Sequence, residues 1–163
     1  MAKKISRREF IRATAVAGGA AAVFPQTLFS SNENKKVKIG FIGTGLRGQW
    51  MLWLATKYPN VEIPAICDID DGMISAALKI LKDGGKPEPK VYKENDEDFR
   101  NMVKNEDLDG VYLATPWEWH HPMAIAAMKS GIHVGTEVPA ALTVDECWDL
   151  VNTSERTGKF CMI

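Results

Sequence analysis

The chain has 163 residues, and its 20 Lys and Arg against 21 Asp and Glu give a net charge of −1 at pH 7. With 45% hydrophobic and 25% charged residues, the composition is typical of a globular protein rather than a disordered or fibrous one. The near-neutral balance gives no electrostatic reason to expect binding to nucleic acid or to a membrane surface. The three cysteines fit neither a disulfide framework nor a zinc-binding spacing. The longest apolar run, residues 13–24, is shorter than the ~17–25 residues of a membrane-spanning helix, so we expect no stable membrane insertion.

Residues 1–30 have the organisation of an export signal. Basic residues precede the apolar run and small residues stand near its end, which is the order of a signal peptide. The stretch Ser6–Arg12 resembles the twin-arginine (Tat) signal of bacterial export, and the alternative is a basic tail that happens to hold two adjacent arginines. We therefore expect the Tat machinery as a partner, a periplasmic location, and removal of the signal after Ala22 or nearer Ser30. The chain beyond residue 24 carries 15 basic and 20 acidic residues.

From Val37 onward, short apolar runs alternate with amphipathic stretches, the pattern of βα units. The spacing predicts strands at residues 37–42, 61–67, 90–92, 110–115, 132–136 and 159–163. It predicts a helix from Gly48 through Tyr58, and further helices at residues 71–81, 96–105, 122–130 and 143–157. This succession predicts an α/β fold with a doubly wound parallel sheet in the strand order 3-2-1-4-5-6. Since the last run breaks off inside a strand, we expect a chain truncated in its sixth strand, the first part of a longer protein.

Several residues are expected to have structural roles, either at helix ends or in the core. The last helix opens with the capping box Thr143–Glu146 and stops at Gly158. Pro122 is expected in the first turn of its helix, where proline is tolerated. We expect burial of the helix stripe Cys147, Leu150 and Val151, of the tryptophan pair Trp50 and Trp53, and of the other two cysteines, Cys67 and Cys161.

A glycine-rich loop follows the first predicted strand and opens the first predicted helix. In the pattern Gly-x-Gly-x-x-Gly, Gly43 permits a tight turn, Gly45 lets a pyrophosphate approach the backbone, and Gly48 lets the helix pack closely on the strand. The anion would lie on the helix N-terminus, where unpaired N–H groups and the dipole favour negative charge. Taken alone, the motif is also compatible with a plain strand-to-helix turn.

Asp68 ends the second predicted strand, 25 residues after Gly43. An acidic residue there bonds the adenosine ribose hydroxyls of a dinucleotide and repels a 2′-phosphate, so NAD is favoured over NADP. The alternative is that Asp68 caps the next helix, and one loop can serve both purposes.

Polar and aromatic stretches follow two further predicted strands. Residues 115–121 come after strand four, and residues 136–139 come after strand five. In an open parallel sheet, ligands bind at the carboxyl ends of the strands, near the point where the strand order reverses. Any one of these loops could be a well-packed turn, but three loops of unusual composition at one edge predict a ligand site.

Three segments, Lys38–Gly48, Thr115–Pro122 and Glu137–Pro139, resemble the Gfo/Idh/MocA oxidoreductase family. With residues 114–120, 137–143 and 146–148, the chain is most similar to its NAD-dependent glycosidase branch, glycoside hydrolase family 109, typified by α-N-acetylgalactosaminidase. The resemblance implies an NAD-binding Rossmann domain over residues 36–163, with a C-terminal α/β substrate domain that this chain lacks. Typical dehydrogenases of the family carry a lysine where Val138 stands, and valine cannot carry a proton.

The resemblance also implies the residues that contact NAD. Together with the glycine loop they are Gly43, Gly45, Leu46, Arg47, Gly48, Asp68, Thr115, Trp117, Glu118, Trp119, His120, Glu137 and Val138. No metal is expected, and the catalytic acid and base are expected in the substrate domain. We expect His120 to contact the cofactor and His121 to be a solvated residue at the start of a helix.

The implied reaction is glycoside hydrolysis without the usual carboxylate pair. The sugar is oxidised transiently at C3, its C2 proton is lost, the glycosidic bond leaves by elimination, water adds, and C3 is reduced again. One alternative is an exported NAD(P)-linked sugar oxidoreductase, and another is a nucleotide-binding module without catalysis. The residues leave open whether the protein forms a homo-oligomer.

Overall fold

A parallel β-sheet runs through the computed structural model, which describes residues 35–163; the predictions for residues 1–30 lie outside this range. Its strands are β1 Val37–Ile42, β2 Val61–Glu62, β3 Ala65–Cys67, β4 Lys90–Tyr92, β5 Gly110–Leu113, β6 His133–Thr136 and β7 Cys161–Met162. They are arranged in the order β4-β3-β1-β5-β6-β7, with β2 beside β1, and all pairs are parallel. This arrangement confirms the predicted order 3-2-1-4-5-6.

The second predicted strand is divided in two at Pro64. Lys38 pairs with Glu62 before the break, whereas Phe41 pairs with Ile66 after it, so the second strand contains one extra residue between these pairs. Proline has no N–H for a strand ladder, and an extra residue of this kind is accommodated as a bulge. The Pro64 carbonyl still accepts a hydrogen bond from the Lys90 N–H at 2.9 Å.

Five helices cover the two faces of the sheet. They are α1 Leu46–Thr56, α2 Asp71–Asp83, α3 Phe99–Asn105, α4 Trp117–Lys129 and α5 Val144–Thr157. Phe41 and Ile66 belong to an apolar cluster with α1 and α2, whereas Ile42 and Cys67 belong to a second cluster with α3, α4 and α5. Because alternate residues of a strand point to opposite faces, the two clusters lie on opposite sides of the sheet. No helix within residues 35–163 is long and apolar enough to cross a membrane.

Helix α4 begins five residues earlier than predicted. Its N-cap is Pro116, its first residue is Trp117, and Pro122 lies inside the helix rather than in its first turn. Most of the predicted loop 115–121 is therefore helical. Proline at position 122 removes only the hydrogen bond to residue 118 near the helix start, and burial of His120 holds that first part of the helix against the protein. Tertiary contacts override the local preference here.

The capping box of α5 is confirmed. The Glu146 N–H donates to Thr143 Oγ1 at 3.2 Å, and the Thr143 N–H donates to Glu146 Oε2 at 3.1 Å. The helix ends at Gly158 in the left-handed conformation, with φ of 66°. The predicted apolar stripe is confirmed only at Leu150, which is buried, whereas Cys147 and Val151 are exposed.

Two other packing predictions need correction. Trp50 and Trp53 are 50% and 47% exposed, since α1 buries Gly48 and Leu52 instead. The Arg47 guanidinium carbon lies 5.0 Å from the Trp50 ring centroid, and the Lys57 ammonium lies 4.6 Å from that of Trp53. Of the cysteines, Cys67 is buried as predicted, Cys161 is half-buried and Cys147 is exposed.

Candidate functional site

A crevice opens at the carboxyl edge of the sheet, where β1 and β5 lie side by side and the chain order reverses. It has a volume of about 240 Å³. Five of the predicted site residues line it, namely Gly43, Gly45, Asp68, Thr115 and Trp119. The sheet therefore brings the ends of its strands to one place, as the positional argument predicted.

The glycine loop forms one wall of the crevice, and its three glycines differ in their surroundings. Gly43 has φ of +87°, and a Cβ there would lie 2.7 Å from the Ala114 carbonyl carbon. A Cβ on Gly48 would lie 2.1 Å from the Gly43 oxygen, whereas one on Gly45 would meet no atom within 4 Å. Gly43 thus makes the turn, Gly48 allows close helix packing, and Gly45 leaves the backbone open to a ligand.

The N-terminus of α1 has the features of an anion site. Its N-cap, Gly45, offers no side-chain cap, and the first turn contains no acidic residue. The first N–H groups of a helix have no partner within the helix, and they carry the positive end of the helix dipole. With the open backbone at Gly45, this end of α1 can accept a pyrophosphate.

Asp68 connects the glycine loop to the end of β3. Its Oδ2 accepts hydrogen bonds from the Thr44 N–H at 2.5 Å and the Thr44 hydroxyl at 2.9 Å, and its Oδ1 accepts from the Asp70 N–H at 3.0 Å. The alternative role as the cap of α2 is wrong, because Asp70 accepts the hydrogen bond from the Met73 N–H instead. A carboxylate has further acceptor sites, so Asp68 can also receive hydroxyl groups in the crevice.

Sequence reasoning missed part of the crevice wall. Ile69 and Met73 supply apolar surface beside Asp68, and Asn95 and Asp96 follow β4 at the same edge. Asn95 and Asp96 could have been found, because they obey the same carboxyl-end rule that singled out the loops after strands four and five. Ile69 had no such signal, since a single apolar residue between two aspartates fits many loops.

Three side chains meet beside the first turn of α1, outside the crevice lining, and we call them the Arg47–Glu137–Tyr112 cluster. Arg47 Nε donates to Glu137 Oε1 at 2.5 Å, and the Tyr112 hydroxyl donates to the same oxygen. The hydrogen bond from Tyr112, followed by that from Arg47, lowers the pKa of Glu137. Burial, together with the neighbouring Glu137 carboxylate, raises the pKa of Tyr112 to about 12. The cluster joins the start of α1 to the loop after β6.

The two histidines of α4 have different partners. His120 is 1% exposed, and its Nδ1 and Nε2 lie 2.7 Å and 2.9 Å from the carbonyl oxygens of Pro139 and Thr115. Its ring therefore ties α4 to the loops after β5 and β6, and a direct contact with the cofactor stays a prediction. His121 is not a solvated residue as expected, because its Nε2 lies 3.1 Å from Asp149 Oδ2 on α5.

The remaining predicted contacts are exposed and are not among the residues that line the crevice. These exposed residues are Leu46, Trp117, Glu118 and Val138, and their contacts with a cofactor stay predictions. The Trp119 ring, by contrast, packs edge-on against Phe99 with centroids 6.2 Å apart. Within residues 35–163 no group of three or more His, Cys, Asp or Glu is arranged to hold a metal ion.

Comparison with known proteins assigns the domain. The model of the Gfo/Idh/MocA group, described as an oxidoreductase family with an NAD-binding Rossmann fold, matches residues 37–163. The chain belongs to the Gfo/Idh/MocA oxidoreductase family. As a Gfo/Idh/MocA domain it takes NAD as its cofactor, and the open backbone at Gly45 with the Asp68 carboxylate fits that group.

Two curated relatives in this family are glycosidases by name. The chain is 46% identical over 129 residues to a glycosyl hydrolase family 109 protein of Saccharopolyspora erythraea, covering 79% of this chain and 28% of the relative. It is 44% identical over 172 residues to an alpha-N-acetylgalactosaminidase of Tannerella forsythia, covering 94% and 37%. The chain therefore spans roughly a third of the length of these Gfo/Idh/MocA relatives.

A solved structure of the same fold is scyllo-inositol dehydrogenase from Lactobacillus casei, with bound cofactor NAD(H) and scyllo-inositol. It matches with a TM-score of 0.66 at 24% identity, covering 77% of this chain and 35% of that one. At this identity the likeness supports the Rossmann fold of the Gfo/Idh/MocA domain and no particular substrate.

Proposed function

We propose that the full-length protein is an NAD-dependent glycosidase of family 109 that releases α-linked N-acetylgalactosamine. The identity of 44–46% to relatives with these names supports the proposal. The observation that carries it is Val138, an exposed aliphatic side chain directly after Glu137 in the loop that follows β6. The typical dehydrogenases that this sequence resembles carry a lysine at that position, and a lysine can transfer a proton.

The described residues bind and orient the cofactor. The α1 N-terminus and the open backbone at Gly45 would hold the pyrophosphate, and Asp68 would hold the ribose at the adenosine end. When bound, NAD supplies a transient oxidation, because a hydride leaves C3 of the sugar and returns to C3 at the end of the turnover. Val138 offers no proton-carrying group at the position of the dehydrogenase lysine, so the C2 proton is removed by a group other than the residue at this position.

We also propose export through the Tat pathway to the periplasm, on the basis of the twin-arginine stretch within residues 1–30. A cofactor that is regenerated in each turnover need not dissociate, so a folded protein could be exported with NAD already bound. A fusion of residues 1–30 to a reporter that is active only after folded export tests the signal. Replacing both Arg7 and Arg8 with Lys should retain the reporter in the cytoplasm, and unchanged export would contradict the proposal.

One assay tests the glycosidase. The full-length protein is given a chromogenic α-N-acetylgalactosaminide, and aglycone release and NADH absorbance are followed in the same cuvette. We expect aglycone release without net NADH. Accumulation of NADH without aglycone would instead indicate a sugar dehydrogenase, and absence of both signals would overturn the proposed substrate.

A matched variant sharpens the assay. Val138→Lys restores the residue of typical family dehydrogenases, whereas Val138→Leu keeps an aliphatic side chain at the same exposed position. We expect aglycone release to fall in the lysine variant and to be retained in the leucine variant. Equal loss in both variants would show that the position acts through its shape and not through proton chemistry.

A further inference from the structure

Tyr112 is not part of the glycine-loop motif, but it shares a hydrogen-bond cluster with two predicted cofactor contacts, Arg47 and Glu137. Tyr112 is on β5, in the middle of the sheet, and its hydroxyl donates to Glu137 Oε1, the same oxygen that Arg47 Nε contacts at 2.5 Å. The three residues come from β5, from α1 and from the loop after β6. Glu137 is therefore held from two directions by two different elements.

The ring of Tyr112 has a defined position in the structure. It packs against Phe41 with centroids 5.7 Å apart, and a Cβ on Gly135 of the neighbouring strand would lie 3.4 Å from Tyr112 Cδ2. The glycine thus leaves room for the ring to lie over β6 and reach the carboxyl edge of the sheet. Because packing already restricts the ring, the hydrogen bond from its hydroxyl to Glu137 costs little further side-chain entropy.

Arg47 is oriented by the same arrangement. Its contact with Glu137 uses Nε, and its guanidinium carbon lies 5.0 Å from the Trp50 ring centroid. A guanidinium has five N–H donors, so donors remain for an anion. Arg47 is the second residue of α1, next to the backbone that the pyrophosphate approaches.

We propose that Tyr112 is a positioning residue for the cofactor, which fixes Glu137 so that Glu137 orients the Arg47 guanidinium toward the NAD pyrophosphate. The inference rests on NAD as the cofactor of the family and not on the glycosidase proposal, so each can fail without the other. Tyr112 touches neither the cofactor nor the reacting atoms in this account. It acts through Glu137 and Arg47.

The charges around Glu137 set the expected pH dependence. Arg47 faces it from α1 and Tyr112 from β5, and His120 on α4 adds a smaller electrostatic effect. All three lower the pKa of Glu137, with the hydrogen bond from Tyr112 as the largest cause. A carboxylate whose pKa is lowered keeps its ion pair until the pH falls through that lowered value. Without the Tyr112 hydroxyl, the pKa of Glu137 rises toward its ordinary value. The ion pair between Glu137 and Arg47 is then lost at a higher pH.

The test uses the full-length protein and titrates NAD⁺ binding by quenching of tryptophan fluorescence, between about pH 3 and pH 8, a range that extends below ordinary glutamate titration. We expect Tyr112→Phe, which keeps the ring, to weaken NAD⁺ binding by about 3- to 10-fold, which corresponds to the loss of one hydrogen bond. We also expect the acid limb of the binding profile to move to higher pH. A merely structural role of Tyr112 would not move that limb.

Tyr92 provides a matched control. Its hydroxyl also donates to a glutamate, Glu106, that is paired with a lysine, Lys90. None of these three residues belongs to α1 or to the loop after β6, so the trio lies away from the helix end that accepts the pyrophosphate. Tyr92→Phe should leave both the dissociation constant and the pH profile unchanged. If Tyr112→Phe behaves like Tyr92→Phe, the proposal is overturned.

A second variant keeps the proposal testable if Tyr112→Phe does not fold. Glu137→Gln keeps the shape of the side chain and removes its titration, so its NAD⁺ binding should lose the acid limb that Tyr112→Phe moves. Retention of the wild-type limb in Glu137→Gln would show that another group sets the profile, and it would equally overturn the proposal.

Discussion

Gly48 lies so close to Gly43 that a Cβ built on it would be 2.1 Å from the Gly43 carbonyl oxygen. The first turn of α1 and the end of β1 therefore touch through backbone alone. Gly45, two residues after Gly43, has open space where its Cβ would be. The same short loop thus contains one glycine required for packing and one that leaves room for a ligand.

Alanine at these two positions should separate stability from affinity. Gly48→Ala forces backbone atoms apart, and we expect it to lower the free energy of unfolding by about 1–3 kcal/mol, as overpacking does. Gly45→Ala meets no protein atom, so we expect a small change in stability and clearly weaker NADH binding. Urea unfolding and NADH titration of both variants measure these effects. Equal destabilisation by both alanines would contradict this prediction, because it would show that a side chain at Gly45 also meets protein atoms.

His120 should be a stability determinant of the site. Its two ring nitrogens face the carbonyl oxygens of Thr115 and Pro139, and the ring is buried. His120→Ala leaves these carbonyls without that partner, and an unsatisfied buried polar group costs about 1–3 kcal/mol. We expect at least that loss in urea unfolding, with weaker NADH binding because the loops after β5 and β6 lose their connection.

The control for this prediction is the neighbouring histidine. His121 is half-buried and contacts Asp149 at the surface of α5. Because partly exposed ion pairs contribute little, His121→Ala should change the free energy of unfolding much less than His120→Ala does. Similar losses in the two variants would contradict the assigned role of His120.

Cys67 should be the least reactive thiol of the described chain. Burial raises its pKa to about 12, with smaller contributions from Asp98 and Asp68. The thiolate is the nucleophile, so at pH 8 almost none of Cys67 is in the reactive form. We expect a thiol reagent to label Cys67 only after unfolding, as measured by peptide mass mapping. Rapid labelling of Cys67 in the folded protein would show that the crevice admits the reagent and stabilises the thiolate.

The sequence was sufficient for the fold because its signals are local. Apolar runs separated by turn residues fix where strands lie, and the parallel βα succession leaves few strand orders. The three glycines and Asp68 could also be placed, since each has a backbone or charge requirement that few other residues meet. What the sequence did not show depends on contacts distant in the chain. Tyr112 and Glu137 are 25 residues apart, and a tyrosine within a strand gives no sign of its partner.

Tertiary contacts also explain the two predictions that were wrong, the burial of Trp50 and Trp53 and the start of α4. Trp50 and Trp53 have the spacing of a buried helical face, but the position of Gly48 against Gly43 decides which face of α1 turns inward. Pro122 favours a helix that starts at that residue, whereas α4 starts at Trp117, and the burial of His120 between two loops stabilises this additional part of the helix. In both cases tertiary packing decided what local preference left open.

The carboxylate of Asp68 should determine which dinucleotide binds. It lies in the crevice with hydrogen bonds to Thr44 and Asp70, and a negative charge there repels a 2′-phosphate. We expect Asp68→Asn to weaken NADH binding by about 10- to 100-fold, since hydrogen bonds to charged groups are worth about 1.5–3 kcal/mol. NADPH binding should be unchanged or improved, so the preference for NADH narrows. Asp70→Asn removes a neighbouring charge outside the crevice lining and should leave the preference intact. If Asp68→Asn weakened both dinucleotides equally, Asp68 would act by holding the Thr44 loop and not by reading the ribose.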